Sequence, residues 1–370
     1  MLLQNRIQTI MYLVAAVIAF LFVGCKSNAA QQQITGPELC QTPQFFGKFG
    51  DGEHGRNLIL GLFIEKFEPL MAASDDSAFD SFKNRLNELN QIECELLDGH
   101  TGRDHFSFAM RHALKIVSDK LDGNQHIFKR LTTLSDQHPK SAYIKLLLLQ
   151  YRLNRAWDER GFRYAGQPST NNEIAFRSSL TKIKAILEEN RYLRKELPQW
   201  YEMMFQVMFH TGAKTSELDK LFAEANKHHN FHLPLFYNRS NYLRPEWGGN
   251  WTDLDRFIKS SSKLSNGKND LKVYASLYHY VYSMARADEY VFFRDTQANW
   301  EKMKRGLQEL VEIHSNSKAL KSLSTLLACE ARDWDEYSKY RPIIHPRSDW
   351  RRWSQRYTVW KCDQIAKLND

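Results

Sequence analysis

Apolar side chains recur every three to four residues along nearly the whole chain beyond residue 36, and this spacing limits the fold more than any other feature. The stretch A-Y-I-K-L-L-L-L-Q-Y-R-L-N-R-A-W (142–157) is helix-forming and apolar all round at its start, as expected of a buried helix. W-Y-E-M-M-F-Q-V-M-F-H (200–210) reads the same way. Residues 174–189 place Ile174, Leu180, Ile183, Ile186 and Leu187 on one side, and 270–290 place Tyr274, Tyr278 and Tyr282 four residues apart. Strand-like alternation is scarce. The expected body is all-α, with about fourteen helices and no sheet. Breakers cut it into hairpins: the loop-like D-G-H-T-G-R-D at 98–104, His138-Pro139, G-F-R-Y-A-G-Q-P-S-T at 161–170, Pro198, Gly212, Pro234 and Asn266-Gly267. The longest of these divides a helical region, 37–160, from a helical-hairpin region, 161–370.

The most expensive interruption is Y-L-R-P-E-W-G-G-N-W (242–251). Pro245 cannot continue a helix, because it lacks an N–H and its ring meets the preceding turn. Gly248 and Gly249 open backbone angles closed to other residues. Asn250 or Thr252 can then cap the next helix, with Asp253 favourable in its first turn. The stretch reads as a rigid corner between hairpins covered by Trp247. The sharper alternative is a ligand platform, since glycines let another molecule approach closely.

A weak internal repeat runs through the same region. His138 is followed by Trp157, His228 by Trp247 and His314 by Trp334, at nearly constant separation. A period of about 90 residues fits two hairpins per unit, which stack to bury a continuous core and curve to leave a concave face. The segments A-W-D-E-R-G-F-R-Y-A (156–165), F-A-E-A-N-K-H-H (222–229), Y-L-R-P-E-W-G-G (242–249) and A-C-E-A-R-D-W (328–334) carry a resemblance. They look like an uncharacterised bacterial domain-of-unknown-function family with tetratricopeptide-like helices, over roughly residues 120–360. The resemblance implies a curved solenoid of helical hairpins and no mechanism. It singles out Trp157, Arg160, Gly161, Pro245, Trp247, Gly248 and Gly249 as family positions; packing does not obviously require Arg160.

The N-terminus gives an expected address. Residues 1–24 carry one charge, Arg6, followed by the uncharged apolar run Ile10 to Val23, too short to span a bilayer. A basic start, a short apolar core and a small residue at the exit read as a secretory signal. The exit F-V-G-C (22–25) resembles a bacterial lipobox, which implies acylation of Cys25, with Phe22 departing from the usual leucine. Lys26 in the following position resembles the outer-membrane default. Residues 25–36 read as a flexible tether, of which the ten residues Ser27 to Gly36 have a reach of roughly 18 Å. The expectation is an outer-membrane lipoprotein facing the periplasm.

The formal net charge is +8 and the pI about 9.1. Anionic lipid or lipopolysaccharide is therefore a conceivable partner, whereas nucleic acid fits an exported protein poorly. With Cys25 acylated, Cys40, Cys94, Cys329 and Cys362 remain. Three pairings are open; Cys329–Cys362 and Cys40–Cys94 each join nearby helices, and free buried thiols are the alternative.

Signatures of chemistry are few. G-x-S-x-G, H-E-x-x-H, the phosphate-binding loop and G-x-G-x-x-G are all missing from the sequence. His228, His229 and His232 offer imidazoles without a carboxylate at fixed spacing, so no metal and no cofactor is expected. The D-G-H-T-G-R-D-H run at 98–105 is expected to be a solvated loop rather than an acid–base site. At the C-terminus, Trp350, Trp353, Tyr357 and Trp360 share one helical face flanked by Arg351, Arg352 and Arg356. That face either seals the end of the array or docks a partner. The functional expectation is a non-catalytic scaffold that binds an envelope protein or peptide, with Arg160, Trp247, Gly248, Gly249, Trp350, Trp353, Arg352 and Arg356 as candidate contacts. The competing expectations are an enzyme acting on envelope material such as peptidoglycan, and a binder of anionic lipid.

Overall fold

The computed structural model describes residues 54–73, 75–90, 102–121, 123–161, 169–229, 231–265, 270–284, 291–315, 317–344 and 359–367. Cys25, Cys40, Cys94, Trp350, Arg352, Trp353 and Arg356 lie outside them. Among the described residues the protein is all-α, with sixteen α-helices, four short 3-10 segments and no strand. None of these helices is long and apolar enough to cross a membrane.

The first seven helices are α1 (His54–Ala72), α2 (Phe79–Asn90), α3 (Gly102–Lys120), α4 (Asn124–Gln137), α5 (Ala142–Arg160), α6 (Thr170–Glu189) and α7 (Gln199–His210). They are followed by α8 (Thr215–His228), α9 (Leu233–Tyr242), α10 (Trp251–Ser262), α11 (Asp270–Met284), α12 (Phe292–Asp295) and α13 (Trp300–Ile313). The last three are α14 (Lys318–Ala331), α15 (Trp334–Tyr340) and α16 (Val359–Lys367). Odd-numbered helices pack in series, α1 on α3 and onward through α5, α7, α9 and α11 to α13. Even-numbered helices α2 to α10 lie against their odd neighbours. Contacts between near neighbours in sequence are the pattern of a stacked helical array.

Local chemistry places the helix starts. Ser141, Ser169, Asn250, Asn299, Ser317 and Asp333 each accept a backbone N–H from the first turn of the helix they precede. Each such cap satisfies a donor with no partner inside the helix. One buried cluster runs from Ile59 to Leu235 and passes through residue 160 without a break, holding Leu153, Ala156, Phe176 and Leu180 together. A second runs from Leu233 to Leu327, and a third joins Leu326 to Cys362. In the second, a Cβ at Gly306 would lie 2.1 Å from the Leu271 carbonyl oxygen, so only glycine lets α13 approach α11 this closely.

The internal repeat appears in the first helix and the link of three hairpins, whose second helices differ in length at 19, 10 and 14 residues. Helices α4, α8 and α13 are each 14 residues long. Each is closed by a histidine of nearly the same conformation: His138 (φ −120°, ψ 63°), His229 (φ −130°, ψ 70°) and His314 (φ −112°, ψ 56°). Three residues on, Ser141, His232 and Ser317 occupy the cap of the next helix, again with closely similar angles. The middle unit is phased on His229, one residue beyond His228, and it alone replaces the capping serine with a histidine.

Two expectations are corrected. Ile174 is 62% exposed, because α6 buries Phe176, Leu180, Ile183 and Leu187. At 100° per residue Ile174 falls about 180° from Ile183. Asp104 and His105 belong to the first turn of α3, and His105 is buried rather than part of a solvated loop.

The C-terminal end is held covalently. Cys329 of α14 and Cys362 of α16 form a disulfide with a Cα–Cα distance of 6.0 Å. Beside it, Asp363 accepts two bonds from Arg341 (2.7 Å each) and one from the Tyr337 hydroxyl (2.6 Å). Trp360 is 70% exposed, whereas Val359 and Cys362 face inward.

Candidate functional site

The two segments that dominate the sequence meet in space. Trp157 and Arg160 sit in the last turn of α5, where the helix ends at Gly161 (φ 81°). Trp247 ends the 3-10 segment Pro245–Trp247. His210, the last residue of α7, stands between them. Its ring centroid is 4.9 Å from Trp157 and 5.6 Å from Trp247, edge-on to both. Phe176, Phe209 and Tyr242 complete an aromatic shell at 5.6, 5.1 and 5.6 Å from the same ring. The Tyr242 hydroxyl lies 3.3 Å from His210 Nε2.

This packing explains each glycine of the corner. Gly248 adopts φ 85°, the left-handed region that residues with a Cβ rarely enter, and donates to the Pro245 carbonyl at 2.9 Å. Gly249 donates to the Arg244 carbonyl at 3.1 Å, and a Cβ there would stand 2.1 Å from the Leu243 carbonyl oxygen. Asn250 caps α10 through the Asp253 N–H at 2.8 Å. Gly249→Ala is expected to cost about 1–3 kcal/mol through overpacking and a shifted corner, read from its urea midpoint. An unchanged midpoint would show that the corner yields freely.

Arg160 is 7% exposed. Its guanidinium lies over Trp157 (5.5 Å) and Phe176 (5.6 Å), and Nε contacts Glu173 at 3.3 Å. Glu173 also accepts from Arg177 at 2.9 Å. Burial pushes its carboxyl up, but the Arg177 bond and the charges of Arg160 and Arg177 hold it below the usual carboxylate range. Arg160 is thus an internal strut that locks α5 to α6.

Burial and the nearby Arg160 charge depress the His210 pKa to about 4. The native state therefore resists protonation while the unfolded chain takes a proton near pH 6.5. The joint's contribution is complete above pH 6.5 and is lost as pH falls toward 4, with roughly 2–3 kcal/mol at stake. A His210→Gln variant is expected to have a flatter stability profile across pH 4–6.5, as measured by urea titration at each pH. Equal slopes in the two proteins would contradict a buried neutral imidazole.

The Tyr237 and Tyr280 rings of α9 and α11 stack at 4.4 Å. Burial pushes the Tyr242 and Tyr280 hydroxyls up, with the Arg111 charge opposing it at both and the Arg244 charge at Tyr280. The α3 backbone is tied to α5 at this point by the Asn154 amide, which donates to the Arg111 carbonyl at 3.1 Å.

A second polar centre lies deeper. Glu202 of α7 is 5% exposed and receives the Ser107 hydroxyl of α3 at 2.6 Å. His232 Nε2 meets the same Glu202 oxygen at 2.6 Å, and His232 Nδ1 stands 3.9 Å from Asp104. This is where the middle repeat departs from its siblings. His232 occupies the cap position of Ser141 and Ser317 but sends its side chain into the core instead of to the helix N-terminus. The adjoining crevice, lined by Pro198, Tyr201, His229 and His232 among others, is too narrow to admit a water molecule. The three histidines of the sequence motif take separate partners: His228 faces Glu224, His229 the Arg194 carbonyl and His232 Glu202. Among the described residues no group of three or more His, Cys, Asp or Glu side chains is arranged to hold a metal ion.

Comparison with protein-family models, curated proteins and solved structures finds no match for this chain.

Proposed function

We propose that the chain is an outer-membrane lipoprotein facing the periplasm, acylated at Cys25, whose helical array is a non-catalytic scaffold for a protein or peptide partner. The address rests on the signal-like N-terminus and its lipobox-like exit; the body is taken to be one more member of the tetratricopeptide-like family it resembles. The observation that carries the binding reading is the linked series of aromatic and arginine side chains around His210. Trp157, His210, Trp247 and Tyr242 come from α5, α7, the corner and α9, and the exposed Arg111 of α3 is joined to α5 one turn before Trp157 through its carbonyl and the Asn154 amide. Amphipathic aromatics and arginines are the residue types that dominate binding energy at protein interfaces.

An enzyme acting on envelope material is the reading that Asp104, Ser107, Glu202 and His232 favour, because these are acid–base residue types gathered in one place. Two observations weigh against it. The Ser107 hydroxyl donates to Glu202 rather than to an imidazole, and the adjoining crevice has no room for a substrate.

The test is photo-crosslinking in cells from position 111, on the proposed face, and from position 174, an exposed site on α6. A partner captured from 111 and lost in the folded Trp247→Ala variant is the expected result; the same products from both positions would contradict the reading. In parallel, Cys25→Ser is expected to leave the membrane fraction. Its retention would shift the argument to anionic lipid contact independent of the anchor.

A further inference from the structure

Trp360 stands in solvent at 70% exposure, more than any other large apolar side chain among the described residues. The other tryptophans there are buried or half-buried. Its place on α16 is fixed from the opposite side of the helix. Val359 and Cys362 turn into the body, and Cys362 is bonded to Cys329. Asp363 is held by Arg341 and by the Tyr337 hydroxyl. At 100° per residue these inward positions share one arc, and Trp360, Lys361, Gln364 and Lys367 fall together on the other. All four are exposed. The outward arc carries no carboxylate, because the one acid of α16 is Asp363, which is committed to Arg341. The charge of the surrounding sequence has the same sign. Residues 341–370 hold seven Lys and Arg against three Asp, a surplus of four within the chain's net charge of +8.

We infer that the outward face of α16 lies on the anionic lipid surface of the membrane that carries the acyl anchor, and so sets how the helical array is turned toward that membrane. The inference rests on the lipidated-address reading and adds a second contact to it. Tryptophan beside lysines suits a bilayer interface: the ring sits at headgroup level and the ammonium groups reach the lipid phosphates. A helix of 9 residues does not persist alone in water, so the disulfide and the Asp363 contacts preform the face and remove the cost of ordering it at the surface. Attraction of lysine to anionic headgroups fades within a Debye length, and the N-terminal anchor is what keeps the body inside that range. A face of one tryptophan and two lysines orients an anchored body without retaining a free one, in keeping with the expected release of Cys25→Ser.

The test uses the full acylated chain in proteoliposomes, with an environment-sensitive fluorescent amino acid at position 364 or, for reference, at the exposed position 174 on α6. The vesicles are phosphatidylcholine alone or an equal mixture with phosphatidylglycerol, each with and without brominated acyl chains. Brominated lipid is expected to quench position 364 strongly in the mixed vesicles and weakly in phosphatidylcholine, and to leave position 174 bright in both. Lys361→Gln and Lys367→Gln are each expected to lower the docked-to-free ratio about fivefold in the mixed vesicles. Trp360→Ser is expected to abolish most of the quenching. Lys182→Gln makes the same charge change at an exposed site on α6 and is expected to leave the ratio within about twofold. Equal quenching in the two vesicle types, or equal loss from Lys182→Gln and Lys361→Gln, would overturn the proposal. So would a photo-crosslink from position 364 to an envelope protein in cells without quenching by lipid, which would assign the face to a protein partner. A bright position 364 in chains that float with the vesicles sinks the α16 contact and leaves the anchor reading standing. Retention of Cys25→Ser in the membrane fraction is the separate result that removes the anchor reading.

Discussion

Glu202→Ala is expected to lower stability by about 2–5 kcal/mol, because it strips the hydrogen-bond partner from two buried polar groups, each costing about 1–3 kcal/mol. Glu202 sits among Trp200, Tyr201, Met203 and Met204 at 5% exposure and meets both Ser107 and His232 at 2.6 Å. Alanine would leave His232, 4% exposed, with only Asp104 at 3.9 Å, and Ser107 with a bare hydroxyl. The three residues come from α3, α7 and the entry to α9, so their loss loosens three members of the packed series at once. Glu202→Gln keeps an acceptor oxygen of the same reach and is expected to lose less than half as much. Urea unfolding followed by far-UV circular dichroism distinguishes the two. A Glu202→Ala midpoint indistinguishable from the native one would mean that water or another group replaces the carboxylate without cost.

Reduction of the Cys329–Cys362 disulfide, or Cys362→Ser, is expected to remove about 3–4 kcal/mol from the C-terminal end, following the chain-entropy model. The bridge closes a segment of sequence separation 33. Its effect should concentrate in α16, which has 9 residues, too few for a helix to persist without tertiary support. The Arg341–Asp363–Tyr337 contacts remain and leave partial protection. Hydrogen exchange at residues 359–367 reads this directly: amides should exchange far faster after reduction while α5 and α7 are unaffected. Unchanged protection in α16 would show that the noncovalent contacts suffice.

The helical body was legible because its information is local. Period, caps and breakers lie within a few residues of one another, and Asn250 as a cap and Pro245 as a stop follow from the chain around them. The repeat was legible through its histidines, whereas its tryptophans fall at different places: Trp157 in the last turn of α5, Trp247 in the corner after α9 and Trp334 at the start of α15. Its phase was not, because His228 and His229 are adjacent and only the conformation of the link tells them apart. The polar centre was hidden for a different reason. Ser107 and Glu202 are separated by 95 residues, and their meeting depends on how α3 and α7 stack. One signal was present: a glutamate between Tyr201 and Met203 in a run of large apolar residues implies a buried charge that needs a partner. Arg111 carried no signal at all, since exposed arginines are scattered along the chain. The rigid-corner reading of Gly248 and Gly249 holds over the ligand-platform alternative at Gly249, because what approaches it is the Leu243 backbone of the same corner.

The Trp157–Arg160 turn and the Pro245–Gly249 corner close on His210 and so fix the face proposed to bind. Histidine-selective NMR titration, with the His210 signal assigned from the His210→Gln variant, tests it most directly. In the folded native protein His210 should titrate near pH 4, where burial and the Arg160 charge hold it. In folded Trp247→Ala, with one wall of the shell removed, it should move upward toward the ordinary imidazole value of about 6.5. A native His210 that titrates near that ordinary value, unmoved by loss of Trp247, would place the imidazole in water and leave the two segments without a common joint.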